Sequence, residues 1–206
     1  MIRLAAIGTA STGKSAVLNA LFGTRFHVDP RARSTEALHR AVVRLGGREI
    51  EVIDTAPLSI AAEERVEADV YLLVCDKDLT AIDYRNAVRL AHERRPVAVA
   101  MNKADTFSDS QLRDLVMHVR ERLQEILPPQ RVVACAADPV RMSYQQQNDG
   151  TRVEQFTRIA PDVTLLQTVV LEMIEEAEDT LRVRVREFAA RAADKVSSFW
   201  NGRFGS

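Results

Sequence analysis

The sequence predicts an α/β three-layer sandwich: a mostly parallel sheet with one antiparallel hairpin strand, helices on both faces, and a long C-terminal helical extension. Three observations predict it. Apolar strand-like runs alternate with helical patterns from Ile2 to Cys135, which calls for crossover connections and parallel pairing. Gly46-Gly47 lies between two apolar runs, the signature of a tight hairpin. From Asp162 to Trp200 there is no Gly or Pro, and apolar residues recur at 166, 170, 173, 177, 181, 185, 188, 192, 196 and 199, a helical spacing throughout.

Taken in order, Ile2 to Ile7 reads as a strand, and a helix follows the glycine-containing loop and ends near Gly23. Thr24 to Ala37, with Asp29-Pro30, Arg31 and Arg33, is polar and reads as a long loop, a class usually kept for function. Leu38 to Leu45 and Arg48 to Ile53 form the antiparallel hairpin. After a short segment from Thr55 to Asp69, the unbroken apolar run Val70 to Cys75 fits a strand covered on both faces. Thr80 caps the next helix with Asp83 at the acidic capping-box position, and Pro96 ends its run. Val97 to Met101 is a strand. Ser108 with Gln111 opens another helix, whose stripe Leu112, Leu115, Val116, Val119, Leu123 and Ile126 stops at Pro128-Pro129. Arg131 to Cys135 reads as a last short strand.

Asp138 to Pro161 is polar without a clear period and is expected to be an exposed insertion. The expected organisation is therefore a core domain at 1–137, an insertion at 138–161, a helical extension at 162–200 and a tail at 201–206. The closing Gly205-Ser206 has the composition of a cloning remnant.

With 46% hydrophobic and 28% charged residues, the 206-residue chain has the composition of a protein that buries a core. A net charge of −1 gives no support for a generally nucleic-acid-binding surface. Cys75 and Cys135 fall in apolar runs without metal-ligand spacing, which points to reduced, buried thiols. No apolar run reaches the length needed to cross a bilayer, so a cytoplasmic location is expected. His27, His39, His92 and His118 are scattered and suggest no metal site.

Gly8-Thr9-Ala10-Ser11-Thr12-Gly13-Lys14-Ser15 is a complete G-x-x-x-x-G-K-S between a strand and a helix that continues through Ala16. Glycines let the backbone curl so that its N–H groups face phosphate oxygens at the helix N-terminus. Lys14 is placed to reach the β- and γ-phosphates, and the Ser15 hydroxyl to bind magnesium. In a sheet of this kind ligands sit at the carboxyl ends of the strands, where Gly8, Asp54, Asn102 and Cys135 fall together.

With Thr35, Asp54 and Asn102-Lys103-Ala104-Asp105 added, residues 1 to 137 resemble the translation-factor-related P-loop GTPases, most of all the bacterial Era/TrmE-like group. The resemblance implies a GTP/GDP site with Mg²⁺. Thr35 is then the switch I threonine, Asp54 the magnesium-associated carboxylate, and Ser15, Thr35 and Asp54 the metal set. Lys14, Thr35 and Asp54 form the expected catalytic set. Gly8, Ser11, Thr12, Gly13, Lys14, Ser15 and Ala16 hold phosphate, and Asn102, Lys103, Asp105, Cys135, Ala136 and Ala137 hold the base. The base chemistry agrees: Asp105 can accept the adjacent N1–H and N2 donors of guanine, Lys103 can lie along the ring, and the N–H of Ala136 can donate to O6.

The sequence departs from the family pattern where hydrolysis is controlled. The family's D-x-x-G reads Asp54-Thr55-Ala56-Pro57 here, and proline has no N–H to offer a γ-phosphate. Leu58 stands where some relatives place a water-orienting glutamine, and Ser11 where many place a potassium-binding asparagine. A slow GTPase switch is the expected function. The alternative is a non-hydrolysing GTP/GDP-binding assembly module. Arg31 and Arg33 read as loop charges, or as an arginine finger supplied in cis. The acidic run Glu175, Glu176, Glu178 and Asp179, followed by Arg182, Arg184 and Arg186, reads as the polar face of the long helix. A protein partner or self-association is expected through the switch regions or C-terminal helix, with no nucleic acid, since nothing past residue 137 resembles a KH domain. Phe188, Phe199 and Trp200 also allow a peripheral membrane contact, which ranks below a helical partner.

Overall fold

The computed structural model describes residues 1–26, 38–57, 66–146 and 152–204. Thr35, Arg31, Arg33, His27, Leu58 and the Gln147 to Gly150 stretch lie outside the described residues. The chain runs β1 (Ile2–Ile7), α1 (Lys14–Phe22), β2 (His39–Leu45), β3 (Arg48–Asp54), β4 (Val70–Cys75), α2 (Ala81–His92), β5 (Val97–Met101), α3 (Asp109–Leu123), β6 (Val132–Ala134), β7 (Val140–Gln146), β8 (Arg152–Arg158) and α4 (Thr164–Phe204).

Six strands form one sheet in the order β2-β3-β1-β4-β5-β6. All its pairings are parallel except β2 with β3, which run antiparallel around Gly46 and Gly47. Both glycines have positive φ, 56° and 78°, as a two-residue turn matched to strand twist requires. The central strands are apolar on both faces because both faces are covered. On one side Val17, Leu18 and Leu21 of α1 join Leu166, Val170, Met173 and Ile174 of α4 against Leu4, Val52, Leu72 and Val74. On the other, Ala87 and Leu90 of α2 join Val119 and Leu123 of α3 against Ala5, Ile53, Leu73 and Val99. The expected three-layer sandwich is the one observed.

Both expected capping boxes form, Thr80 with Asp83 and Ser108 with Gln111. The long helix is one continuous α4 of 41 residues, roughly 60 Å at 1.5 Å per residue. Among its described side chains the last buried one is Ala177, with Leu181 half-buried, whereas Val183 and Val185 are exposed. The acidic run is more than a solvated face. Glu175 and Glu178 pair with Arg48 at 3.1 and 3.3 Å, and Glu176 pairs with Arg131 at 2.6 Å. These ion pairs tie α4 to the start of β3 and to the residue before β6.

The stretch expected to be an exposed insertion is exposed and contains a hairpin, β7 paired antiparallel with β8 from Val140↔Arg158 to Gln146↔Arg152. The alternation Val140, Met142, Tyr144 is present in the sequence, but these side chains are exposed, 45%, 49% and 60%. A strand that buries neither face carries little of the contrast from which a strand is read.

Candidate functional site at the carboxyl edge of the sheet

The carboxyl ends of β1, β3, β4, β5 and β6 bring together Gly8, Asp54, Asp76, Asn102 and Cys135. Between β1 and α1 the chain curls through positive φ at Gly8 (149°), Ser11 (63°) and Gly13 (90°). Side chains are excluded at both glycines. A Cβ on Gly8 would collide with the Val74 carbonyl, and one on Gly13 with the Asn102 amide. The curl is closed internally by Thr12 Oγ1, which donates to Thr9 O at 3.1 Å.

Lys14 is buried, and its Nζ donates to Gly8 O and Thr9 O, each at 3.0 Å. Burial pulls its pKa below the usual lysine value, opposed by the charges of Asp54 and Asp83. The amine is therefore held over the crown of the loop in a desolvated place, where it gains most from an arriving anion. Next to it, Ser15 Oγ donates to Asp54 Oδ2 at 2.5 Å. Burial pushes the Asp54 carboxyl above the usual carboxylate range, with the Ser15 hydrogen bond and Lys14 pulling it back. Its other oxygen, Oδ1, is buried without a hydrogen-bond partner among the described residues. An orphaned carboxylate oxygen beside a hydroxyl is a donor set suited to a small hard cation, so the residues fit Mg²⁺. Thr55 fixes the exit from β3 by donating to Ala6 O at 2.7 Å, and leads through Ala56 to Pro57.

Asn102 ties the two loops together. Its Nδ2 donates to Thr12 O at 3.0 Å, and its Oδ1 accepts from the N–H of Ala137 at 3.1 Å. Cys135 Sγ lies 3.9 Å from the same oxygen. Lys103, at φ 61°, turns the chain into the 3-10 turn Ala104–Thr106, which leaves Asp105 exposed at the rim. That left-handed backbone costs a non-glycine residue roughly 1–2 kcal/mol.

The N–H of Ala136 is already taken by Asp162 O at 2.9 Å, in a bridge whose return bond is Asp162 N–H to Ala136 O at 2.8 Å. The N–H that faces the Asn102 cluster belongs to Ala137, one residue later. Sequence reading also missed Asp76, whose Oδ2 pairs with Lys103 Nζ at 2.7 Å. The signal was available only as its position directly after the buried run of β4.

Fold and site together define a P-loop nucleotide-binding domain, with a phosphate loop after the first strand and a base loop two strands away. Residues 3–103 match the family described as 50S ribosome-binding GTPase. Over 142 residues the chain is 30% identical to GTPase Der of Paenarthrobacter aurescens (strain TC1), covering 60% of this chain and 29% of that one. It is 34% identical over 124 residues to tRNA modification GTPase MnmE of Halorhodospira halophila (strain DSM 244 / SL1), covering 52% and 26%. The chain thus spans less than a third of the length of either relative. Among solved structures it resembles a single-residue variant of Aquifex aeolicus Era bound to GDP·AlF4⁻, with a TM-score of 0.54 and 21% identity over 66% of this chain and 52% of that one. It likewise resembles Era in complex with MgGDPNP and nucleotides 1506–1542 of 16S ribosomal RNA, with a TM-score of 0.54 and 22% identity over 66% and 51%. In sequence and fold the chain is therefore similar to P-loop GTPases of the Era/TrmE-like group.

Proposed function

We propose that the protein is a guanine-nucleotide-binding switch with slow intrinsic GTP hydrolysis, regulated by a partner. The observation that carries the nucleotide assignment is Asn102, whose amide couples the phosphate loop to the base loop at 3.0 and 3.1 Å. One ligand spanning both loops accounts for such a coupling, and the Era structures solved with GDP·AlF4⁻ and MgGDPNP support the same ligand class.

In this reading the loop from Gly8 to Ala16, with Ser11, Thr12 and Gly13 at its turn, wraps the phosphates through its N–H groups. Lys14 gives up its carbonyl contacts to meet them. Ser15 and Asp54, joined by Thr35, would hold Mg²⁺, which would supply neutralisation of phosphate charge when bound. Asp105 accepts the two adjacent donors of guanine, Lys103 lies along the ring face, and the Cys135-Ala136-Ala137 turn lines the base side of the site. Residues 1–137 form the nucleotide domain, 138–161 an inserted hairpin, and 162–200 the docking helix, in a protein at work in the cytoplasm.

Pro57 supports the slow rate. It stands three residues after Asp54, where a γ-phosphate would be met by a backbone N–H that proline lacks. The same residue favours a second reading, a module that holds GTP or GDP without hydrolysing either. Calorimetric titration with GDP, GTP and ATP, with and without Mg²⁺, tests the assignment. GDP and GTP are expected to bind with Mg²⁺, and ATP at least tenfold more weakly. Equal affinity for ATP would overturn the guanine assignment.

A further inference from the structure

The Lys103 side chain is stretched between two anchors. Its Nζ donates to Ser11 O of the phosphate loop at 2.7 Å and pairs with Asp76 Oδ2 at 2.7 Å. Asp76 follows directly on the buried strand β4 and keeps only 23% of its side chain exposed, so it is a firm anchor. The lysine side chain keeps 41% of its surface open. A long flexible side chain pinned at its charged end lays down its methylene stem as a flat apolar ledge. Without the carboxylate, only the Ser11 carbonyl would hold the amine, and the opposite charge that pins it would be gone.

We propose that Asp76 is a positioning residue for guanine binding: it fixes the Lys103 stem as the surface on which the base lies, without touching the nucleotide. The proposal rests on the guanine-nucleotide reading above. Asp76 is well placed for this role because β4 is the strand between the phosphate-loop strand β1 and the base-loop strand β5. The Lys103–Asp76 pair therefore bridges the middle of the site, while Asn102 bridges beneath it. The left-handed turn at Lys103 also sets Asp105 two residues on, so the pair holds the start of the segment that reads the base.

The test is the dissociation rate of a fluorescent GDP from wild type, Asp76→Ala, Asp76→Asn, Lys103→Met and the double variant Asp76→Ala/Lys103→Met, with melting temperatures measured alongside. Asp76→Ala is expected to release GDP about tenfold faster, and Asp76→Asn at an intermediate rate. In the Lys103→Met background, Asp76→Ala should change the rate less than twofold, because the group it positions is gone. A change of less than twofold in Asp76→Ala alone overturns the proposal. So does an undiminished effect in the Lys103→Met background, which would mark Asp76 as acting on the fold and not through Lys103. Wild type failing to bind GDP at all would remove the guanine reading, and this proposal with it.

Discussion

At Cys135, burial decides what a side chain can do. The thiol lies beside the base loop, yet desolvation, with Asp162 adding to it, pushes its pKa up to about 12. Cys75, buried beneath the same edge, is raised further by the same cause. Thiolate is the reactive form, so a raised pKa keeps both sulfurs inert until the pH is far above neutral. Neither cysteine is expected to react with a disulfide reagent at pH 8 in the folded protein, and both should react in denaturant. Stoichiometric labelling of the native protein would contradict their placement. Asn102 works through hydrogen bonds instead. Asn102→Ala leaves the Thr12 carbonyl and the Ala137 N–H without their partner, at a cost of about 1–3 kcal/mol. Urea denaturation of the variant measures that loss, and weakened GDP binding should accompany it. At this scale the sequence revealed residues that sit in motifs and hid those that act across chains of contact. Asp105 could be read from its spacing to Asn102. Asp76 could not, because its meaning lies in a lysine of the loop that follows another strand. The bond from the Ala136 N–H to the Asp162 carbonyl was not legible either, because Asp162 arrives only after the hairpin has been traversed.

Elements were legible where local chemistry and burial agreed. The capping boxes at Thr80 and Ser108 were readable because both halves of each box sit within four residues. Thr80→Ala removes the acceptor for the Asp83 N–H and should cost about 1 kcal/mol of stability by denaturant titration. The β7–β8 hairpin was not legible, since its apolar positions face outward and its partner strand is mostly polar. Helix α4 was legible as a helix, but the change from buried to exposed among its described side chains after Ala177 was not, because the apolar spacing continues past it. That change is testable. Met173→Ala, at a fully buried position, should cost about 2–5 kcal/mol. Removing residues 182–206 should move the melting temperature by only a few degrees, since the described side chains beyond Leu181 are exposed. A collapse of stability on truncation would place packing where none is described.

On the scale of the whole molecule, the sheet order puts β1 at the centre and gathers the carboxyl ends of five strands into one site. This was readable in advance because strand–helix alternation and one glycine hairpin leave few topologies open. The site follows from that topology. The phosphate loop, the Ser15–Asp54 pair and the Asn102 bridge form a connected, largely buried frame for a nucleotide. Pro57 leaves the exit of β3 without the N–H through which such a frame would sense a γ-phosphate. The most direct test is single-turnover GTP hydrolysis with Mg²⁺, comparing wild type with Pro57→Gly. Wild type is expected to turn over no faster than about 10⁻³ s⁻¹, the scale of unassisted GTPases of this fold, and the glycine variant to be faster. Unaided wild-type hydrolysis on the order of 1 s⁻¹ or above, unaffected by the substitution, would contradict the account.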